Sequence, residues 1–282
     1  MSEFIKNRYD FVFLFDVKDG NPNGDPDFDN QPRIDFETRE GLVSDVCIKR
    51  KVRNYVQLKV AAGELDASKY DIFIRQGHIL NDLIDQESKK AGEDATKGRM
   101  AMCEKYFDIR TFGAVMSTGE SKKLGVVRGP VQFVFSRSVD PVDSKTHSLT
   151  RCCVTDAKDK DKDSTFGNKS TVSYGLYRMH GYVSAFDGEK CHFTEDDIRL
   201  LWEALINAFE HDHSAARGEM NARALVVFKH ESKLGNARAG ELFERVKVSK
   251  KGSVEFARAF SDYEVSIDRS SLPQGVTVEE LI

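Results

Sequence analysis

The chain has 282 residues, of which 40% are hydrophobic, and its formal net charge is −4 at pH 7. This hydrophobic content is enough to bury a core in one large domain or in two. The negative charge argues against a protein that coats nucleic acid with its whole surface, because such binding depends on many Lys and Arg contacts. Any nucleic-acid site is therefore expected to be local.

The sequence carries no signal for export or membrane insertion. No basic and then apolar segment follows Met1, and no apolar run approaches the ~18 residues of a membrane helix. The five cysteines are widely spread, and the adjacent Cys152 and Cys153 lack the spacing of a chelating motif. We expect a cytoplasmic protein with free thiols, no zinc or other metal, no cofactor and no membrane partner.

The first part of the sequence predicts a strand, a polar loop and a helix. The apolar run Tyr9–Val17 is typical of a strand buried on both faces. The loop is the stretch "DVKDGNPNGDPDFDNQPRID" at 16–35. Ser44 is a suitable N-cap for a helix that would end at Gly63.

Two further strands, a second helix and a last strand follow. The strands are expected at 125–139 and 174–186, and the last one at 223–230. Thr194 and Asp197 have the form of a capping box before an amphipathic helix. The resulting β-α-β-β-α-β order is that of the ferredoxin-like, split βαβ type of α+β fold.

Two inserts interrupt this order. Residues 65–124 are expected to be helical, and 140–171 to form a ribbon. Near the end of that ribbon, alternating Lys and Asp without apolar residues cannot pack a core, so this run is expected at its tip. Residues 236–268 are expected to add a short helix and an edge strand.

The polar loop partly matches a calcium-binding pattern. Asp19, Asn21, Asn23 and Gly24 fit positions one, three, five and six of an EF-hand loop. Position twelve is Asn30 where an EF-hand has Glu, and the preceding element is predicted to be a strand. Asn, Gly, Pro and Asp are also simply turn formers, which is the alternative.

The helix after the loop is strongly basic. Lys49, Arg50 and Arg53 are expected along one side, where they would bind phosphates or form a solvated helix face. Arg side chains bind phosphates and flat side chains stack on bases, so other Arg residues with aromatic or glycine neighbours are candidates too. These further candidates are Arg110, Phe112, Arg128 and Arg137.

Signals for an enzyme are weak. The sequence lacks a phosphate-binding P-loop, a nucleophile elbow and an H-E-x-x-H zinc motif. His211, Asp212 and His213 would suit a metal phosphohydrolase, but such a site needs further ligands. Histidines at the end of a helix interact favourably with its dipole, which is the simpler interpretation.

Six stretches together closely resemble the major backbone subunit of type I-C CRISPR surveillance complexes, the Cascade assemblies of the RAMP superfamily. They are "RYDFVFLFDVKDGNPNGDPD", "GLVSDVCIKRKVRNYV", "YFDIRTFGAVM", "VVRGPVQFVFSRSV", "HDHSAARGEM" and "VVFKHESKLGNA". The resemblance implies one hand-shaped domain over 1–282, with an RRM-like palm, a helical fingers insert and a β-hairpin thumb. The palm would comprise 8–64, 125–139 and 172–282, the fingers 65–124 and the thumb 140–171.

The resemblance further implies a non-catalytic subunit that stacks in several copies along one CRISPR RNA and presents its bases to invading DNA. Implied partners are CRISPR RNA, target DNA, further copies of the chain, other Cascade subunits and a recruited helicase-nuclease. Asn21 and Asn23 would lie beside the RNA. Phe166 and Lys169 of the thumb would contact RNA held by the neighbouring copy.

Two rival functions stay open. Related backbone subunits of type III complexes cut target RNA with an aspartate in the loop after the first strand. Asp25 and Asp27 stand in that loop here, so a metal-dependent ribonuclease is the alternative. A calcium-binding module is the third possibility.

Overall fold

The computed structural model describes residues 2–92, 94–118, 124–154, 158 and 165–282. The elements up to residue 128 are β1 (Tyr9–Gly20), β2 (Gly24–Asp25), β3 (Gln31–Pro32), β4 (Glu40–Val43), α1 (Asp45–Ala61), α2 (Ala67–Tyr70), α3 (Leu80–Lys90), α4 (Ala95–Lys105), α5 (Phe107–Phe112), β5 (Gly113–Met116) and β6 (Gly125–Arg128). The later elements are β7 (Val131–Phe133), β8 (Ser136–Pro141), β9 (Ser144–Arg151), β10 (Thr165–Val183), α6 (Ala185–Cys191), α7 (Glu195–Ile206), β11 (Glu219–His230), α8 (Ala239–Phe243), β12 (Val246–Lys250), β13 (Tyr263–Ile267) and β14 (Val276–Glu280).

A central antiparallel sheet organises this mixed α+β fold. Its strands lie in the order β14-β11-β1-β10-β8-β4, and β7 and β9 pair with opposite ends of the long strand β10. The short pairs β2–β3, β5–β6 and β12–β13 form ribbons outside this sheet. Among the described residues, none of the helices is both long and apolar enough to span a membrane.

Strand β1 is buried on both faces, which confirms the prediction from its apolar run. Successive side chains of a strand point to opposite faces of the sheet. Phe11, Phe13 and Phe15 therefore join the core beneath α1 and α7, while Val12 and Leu14 join the core on the other face. Both faces of the sheet consequently need a covering layer.

Helices α1 and α7 cover the first face. Helix α1 begins after Ser44 and ends at Ala61, close to the predicted stop at Gly63, whose φ of 75° suits a glycine. The capping box predicted for α7 is confirmed, because Thr194 and Asp197 each accept a hydrogen bond from the other's backbone N–H. Both helices place their apolar residues in the core on this face.

The C-terminal part of the chain covers the second face. Leu242 and Phe243 of α8 pack on it, and the Arg178 guanidinium donates hydrogen bonds to the carbonyls of Phe243 and Val246. The short helix expected here is confirmed, but the edge strand expected within 236–268 is wrong. That segment forms the separate β12–β13 ribbon, and the edge strand is β14, paired with β11.

Two other predicted strands differ from the structure. The segment 125–139 contains β6, β7 and the start of β8. Strand β6 ends before Gly129 and Pro130, because Pro130 lacks the N–H of a ladder bond and Gly129 approaches the backbone of Phe112 closely. Phe135, which lies between β7 and β8, is exposed. The strand predicted over 174–186 ends at Val183, because the Ser184 hydroxyl caps α6.

The segment expected to be a helical insert contains α2 to α5 and has a small core of its own. Phe73, Ile84, Met102 and Tyr106 are buried in it. Strand β6, which the sequence assigned to the palm, pairs with β5 at the end of this segment. The segment expected to be a ribbon contains β9, which pairs with the outer part of β10 through eight residue pairs.

One close contact in this sheet leads to a stability prediction. Gly181 of β10 lies against the Phe11 ring, so an added Cβ would sit 2.0 Å from Phe11 Cζ. We expect Gly181→Ala to lower the free energy of unfolding by about 1–3 kcal/mol, because overpacking displaces the ring. Urea denaturation followed by circular dichroism measures the change.

Gly167→Ala in the same strand is the matched control. Nothing lies within 4 Å of an added Cβ at Gly167, so its stability is expected to change by less than about 0.5 kcal/mol. Equal stability of the two variants would contradict the packing argument.

Candidate nucleic-acid interface

The asparagines of the opening loop build the loop itself. Asn21 is buried, and its Nδ2 donates to the carbonyl of Asn30 at 2.7 Å. Asn23 Oδ1 accepts hydrogen bonds from both the N–H and the hydroxyl of Ser44, each at 2.9 Å. Ser44 is the N-cap residue of α1, as predicted, although its side chain makes no capping hydrogen bond. Asn23 instead accepts the hydrogen bonds of the Ser44 N–H and hydroxyl.

The calcium-loop interpretation is wrong. An EF-hand loop follows a helix and turns its side-chain oxygens toward the ion. Here the loop follows strand β1, and Asn23 Oδ1 already accepts two hydrogen bonds from Ser44. The stretch instead folds into the β2–β3 ribbon with a 3₁₀ turn at Pro26–Phe28.

The two aspartates considered for catalysis have different surroundings. Asp25 Oδ1 accepts from the Asp27 N–H, and Asp25 Oδ2 lies 3.2 Å from the Arg33 guanidinium. Asp27 itself is exposed to solvent. Asp25 therefore has a structural role as the cap of the 3₁₀ turn.

The basic helix uses its charges inside the protein. Lys49 pairs with Asp45 at 2.8 Å, and the Arg50 guanidinium donates to the carbonyl of Ile74 at 2.8 Å. Arg53 Nε donates to the buried Asp108 carboxylate at 2.7 Å. Each of these three side chains therefore already has a hydrogen-bond partner within the chain, and their contact with RNA stays a prediction. Lys51 of the same run is buried and pairs with Asp212.

Arg110 and Phe112 are buried on α5. Arg110 donates from Nε and Nη2 to Asp197 Oδ1, at 3.0 and 2.8 Å, which ties α5 to α7. The Phe112 ring lies 5.3 Å from the Arg53 guanidinium and packs edge-on against Phe133. These contacts give both residues a structural role, and a role in RNA binding stays a prediction.

Arg128 and Arg137 are accessible. The Arg128 side chain is 80% exposed, and its Nε lies 3.5 Å from Asp187. Arg137 Nη1 lies 2.9 Å from carboxylate oxygens of both Asp35 and Glu40. The hydrogen bond from Arg137 lowers the pKa of Asp35. Of the arginine candidates, these two present their charge at the surface.

Phe166 and Lys169 lie on the outer part of β10, away from the other candidates. Phe166 is 81% exposed and pairs with Thr150 of β9, while Lys169 is partly exposed and pairs with His147. The predicted site residues thus fall into separate groups. Asn23 meets the start of α1, Arg53 meets Phe112 and Asp108, and the β9–β10 residues stand apart.

The open sheet face on which RRM proteins stack bases is covered in this chain. The cover is α8 with the β12–β13 ribbon. His180 of β10 stacks on Phe243 at 4.1 Å between ring centroids. Burial, followed by the Arg178 charge, lowers the pKa of His180 to about 4, so the ring is neutral at pH 7. This sheet face is therefore closed to base stacking in the structure.

Sequence reasoning missed one exposed aromatic pair. Phe28 and Phe36 are 53% and 73% exposed, and their ring centroids lie 5.5 Å apart beside the opening loop. Each stands in a polar, acidic stretch, "PDFDN" and "IDFET". An aromatic residue flanked by acidic residues favours an exposed position, and the sequence alone could have indicated this for Phe28 and Phe36.

Comparisons with known proteins agree on one family. The family model described as "CRISPR-associated protein Cas7" matches residues 7–268. A protein of Haloferax volcanii named "CRISPR-associated protein Cas7" is 25% identical over 290 residues, covering 93% of this chain and 81% of the relative.

One solved structure supports a similar fold, and a second has a lower TM-score. A chain of a structure described as "CRISPR RNA-guided surveillance complex, pre-nicking" is 12% identical, with a TM-score of 0.50 and 78% of each chain covered. Another, described as "CRISPR RNA-guided surveillance complex", is 13% identical with a TM-score of 0.46, covering 78% of this chain and 68% of that one. The family model spans the central sheet except its edge strand β14, together with the two covering helices and most of the C-terminal cover, and the chain therefore belongs to the Cas7 family.

Proposed function

We propose that the chain is a non-catalytic backbone subunit of a type I-C Cascade complex in antiviral defence. It binds CRISPR RNA, oligomerises along it and presents its bases for pairing with invading DNA. The observation that carries the proposal is the β9–β10 hairpin, whose eight residue pairs extend from the sheet with β9 exposed from Lys145 to Arg151. A hairpin that its own core does not need is best explained by a partner.

The sheet order supports an RRM-like palm. The four strands of the β-α-β-β-α-β order are β1, β8, β10 and β11, and they lie side by side as β11-β1-β10-β8 with α1 and α7 on one face. We assign the palm to 8–64, 125–139 and 172–282, the fingers to 65–124 and the thumb to 140–171. Within this palm range, β6 (Gly125–Arg128) pairs with β5 of the fingers and so joins the two parts.

Assembly on one strand explains how an acidic chain holds RNA. Each copy needs only a short stretch of phosphates, because neighbours on the same RNA act at high effective concentration. Sequence is read by base pairing in RNA-guided systems, so the protein needs mainly backbone contacts. The proposed partners are CRISPR RNA, target DNA, further copies, other Cascade subunits and the recruited helicase-nuclease.

A salt titration of RNA binding tests the proposal. Arg128→Ala and Arg137→Ala are expected to weaken binding about equally for every guide sequence. The magnitude of the slope of log K against log salt should decrease by roughly 0.7 for each phosphate of the single strand that the variant no longer binds. Both variants should retain stability within about 0.5 kcal/mol, because their side chains are exposed.

Arg53→Ala is the contrasting variant. It leaves the buried Asp108 carboxylate without its cation, which is expected to lower the free energy of unfolding by about 3–5 kcal/mol.

If the parent binds no RNA, and its elution volume is the same with and without RNA, the proposed function is wrong.

The non-catalytic part of the proposal needs its own test. Incubation of the parent with guide RNA, paired target and Mg²⁺ is expected to yield no cleavage products. Asp25→Asn and Asp27→Asn together remove the carboxylate charge that metal catalysis requires while keeping size and polarity. Cutting by the parent that disappears in this double variant would establish the ribonuclease alternative.

Shortening the hairpin separates a filament subunit from a solitary RNA-binding domain. Replacement of residues 158–169 by a short Gly-Ser turn should leave the melting temperature nearly unchanged, because Phe166, Gly167 and Asn168 are exposed and Lys169 is partly exposed. We expect shorter or irregular assemblies on guide RNA in electron micrographs. Normal filaments from the shortened protein would contradict the thumb assignment.

A further inference from the structure

The pairing of β9 with β10 divides the hairpin into two chemically different faces. Opposite residues of an antiparallel pair share a face, and neighbours along a strand alternate. Arg151 pairs with Thr165 and His147 with Lys169, and Lys145 lies two residues before His147. We call the side with Lys145, His147, Arg151 and Lys169 the basic face. The hydroxyl face carries Thr146, Ser148, Thr150, Asn168, Ser170 and Phe166.

Side-chain contacts agree with this division. On the hydroxyl face, the Thr146 and Ser170 hydroxyls lie 2.8 Å apart, and Ser148 Oγ donates to Asn168 Oδ1 at 3.4 Å. On the basic face, His147 Nε2 lies 3.2 Å from Thr171 Oγ1. Hydrogen bonds therefore link the two strands on each face separately.

The formal charges of these strands all lie on one face. Within 144–151 and 165–172 the charged side chains are Lys145, Arg151 and Lys169, and each of them is positive. The Lys145 side chain is 56% exposed, and its Nζ lies 3.7 Å from the carboxylate of Asp143, which is itself exposed. An exposed ion pair of this kind is weak and leaves Lys145 available to a stronger anion.

We propose that the basic face binds the phosphate backbone of single-stranded RNA, whereas the hydroxyl face contacts its sugars and bases without a salt-dependent contribution. This inference rests on the proposed function and deepens it. Phosphate contacts release counterions and so depend on salt. Hydroxyl and amide groups hydrogen-bond to 2′-hydroxyls and base edges, and the exposed Phe166 ring offers a stacking surface.

Two double variants of the full chain separate the faces, with a fluorescent single-stranded RNA as the probe. Lys145→Gln with Lys169→Gln should decrease the magnitude of the slope of log K against log salt by roughly 1.4, about 0.7 for each phosphate of a single strand that is no longer neutralised. Thr146→Val with Ser148→Ala should weaken binding a few-fold at every salt concentration and leave the slope unchanged. Equal slopes for the parent and both variants would overturn the inference.

A third variant tests position against net charge. Lys169→Gln with Ser148→Lys keeps the charge of the hairpin but moves it to the hydroxyl face. We expect this combined variant to show the same reduced slope as Lys169→Gln alone. A slope equal to that of the parent would overturn the assignment of faces. If the parent does not bind RNA, the proposed function fails as well, whereas binding with unchanged slopes refutes only this inference.

Discussion

The structure depends on the burial of β1 on both faces. Because its side chains alternate between two apolar cores, the sheet requires α1 and α7 on one side and the C-terminal segment on the other. The second cover occupies the face on which an open RRM sheet stacks bases. That face is therefore closed, whereas the hairpin that extends from β10 leaves most of its described side chains exposed.

The burial of cations follows from the same packing. Lys51, Arg53 and Arg110 each pair with a carboxylate that another part of the chain brings to the core. Loss of one partner from such a pair is costly because it leaves a buried charge unpaired. A dense basic sequence can therefore serve the fold first, and exposed arginines such as Arg128 and Arg137 are better candidates for RNA.

The β9–β10 hairpin shows the opposite arrangement. Its strands carry few apolar residues, most of its described side chains are exposed, and its positive charges share one face. Charge segregation of this kind costs little stability in a solvated ribbon, since exposed side chains contribute weakly to folding. The exposed and charged side chains that the fold does not need are therefore concentrated in the β9–β10 hairpin, which makes this hairpin the best candidate for contact with a partner.

The sequence alone determined β1, the extent of α1, the Thr194–Asp197 capping box and the family resemblance, because apolar periodicity and capping act within a few residues. Only the tertiary structure decided that the basic residues of α1 and Arg110 of α5 are used inside the protein. The partners of Arg53, Arg110 and Lys51 are 55, 87 and 161 residues away along the chain. The tertiary structure also placed 236–268 over the sheet. A local pattern shows that a segment is apolar on one side, but it does not show which surface will bury that side.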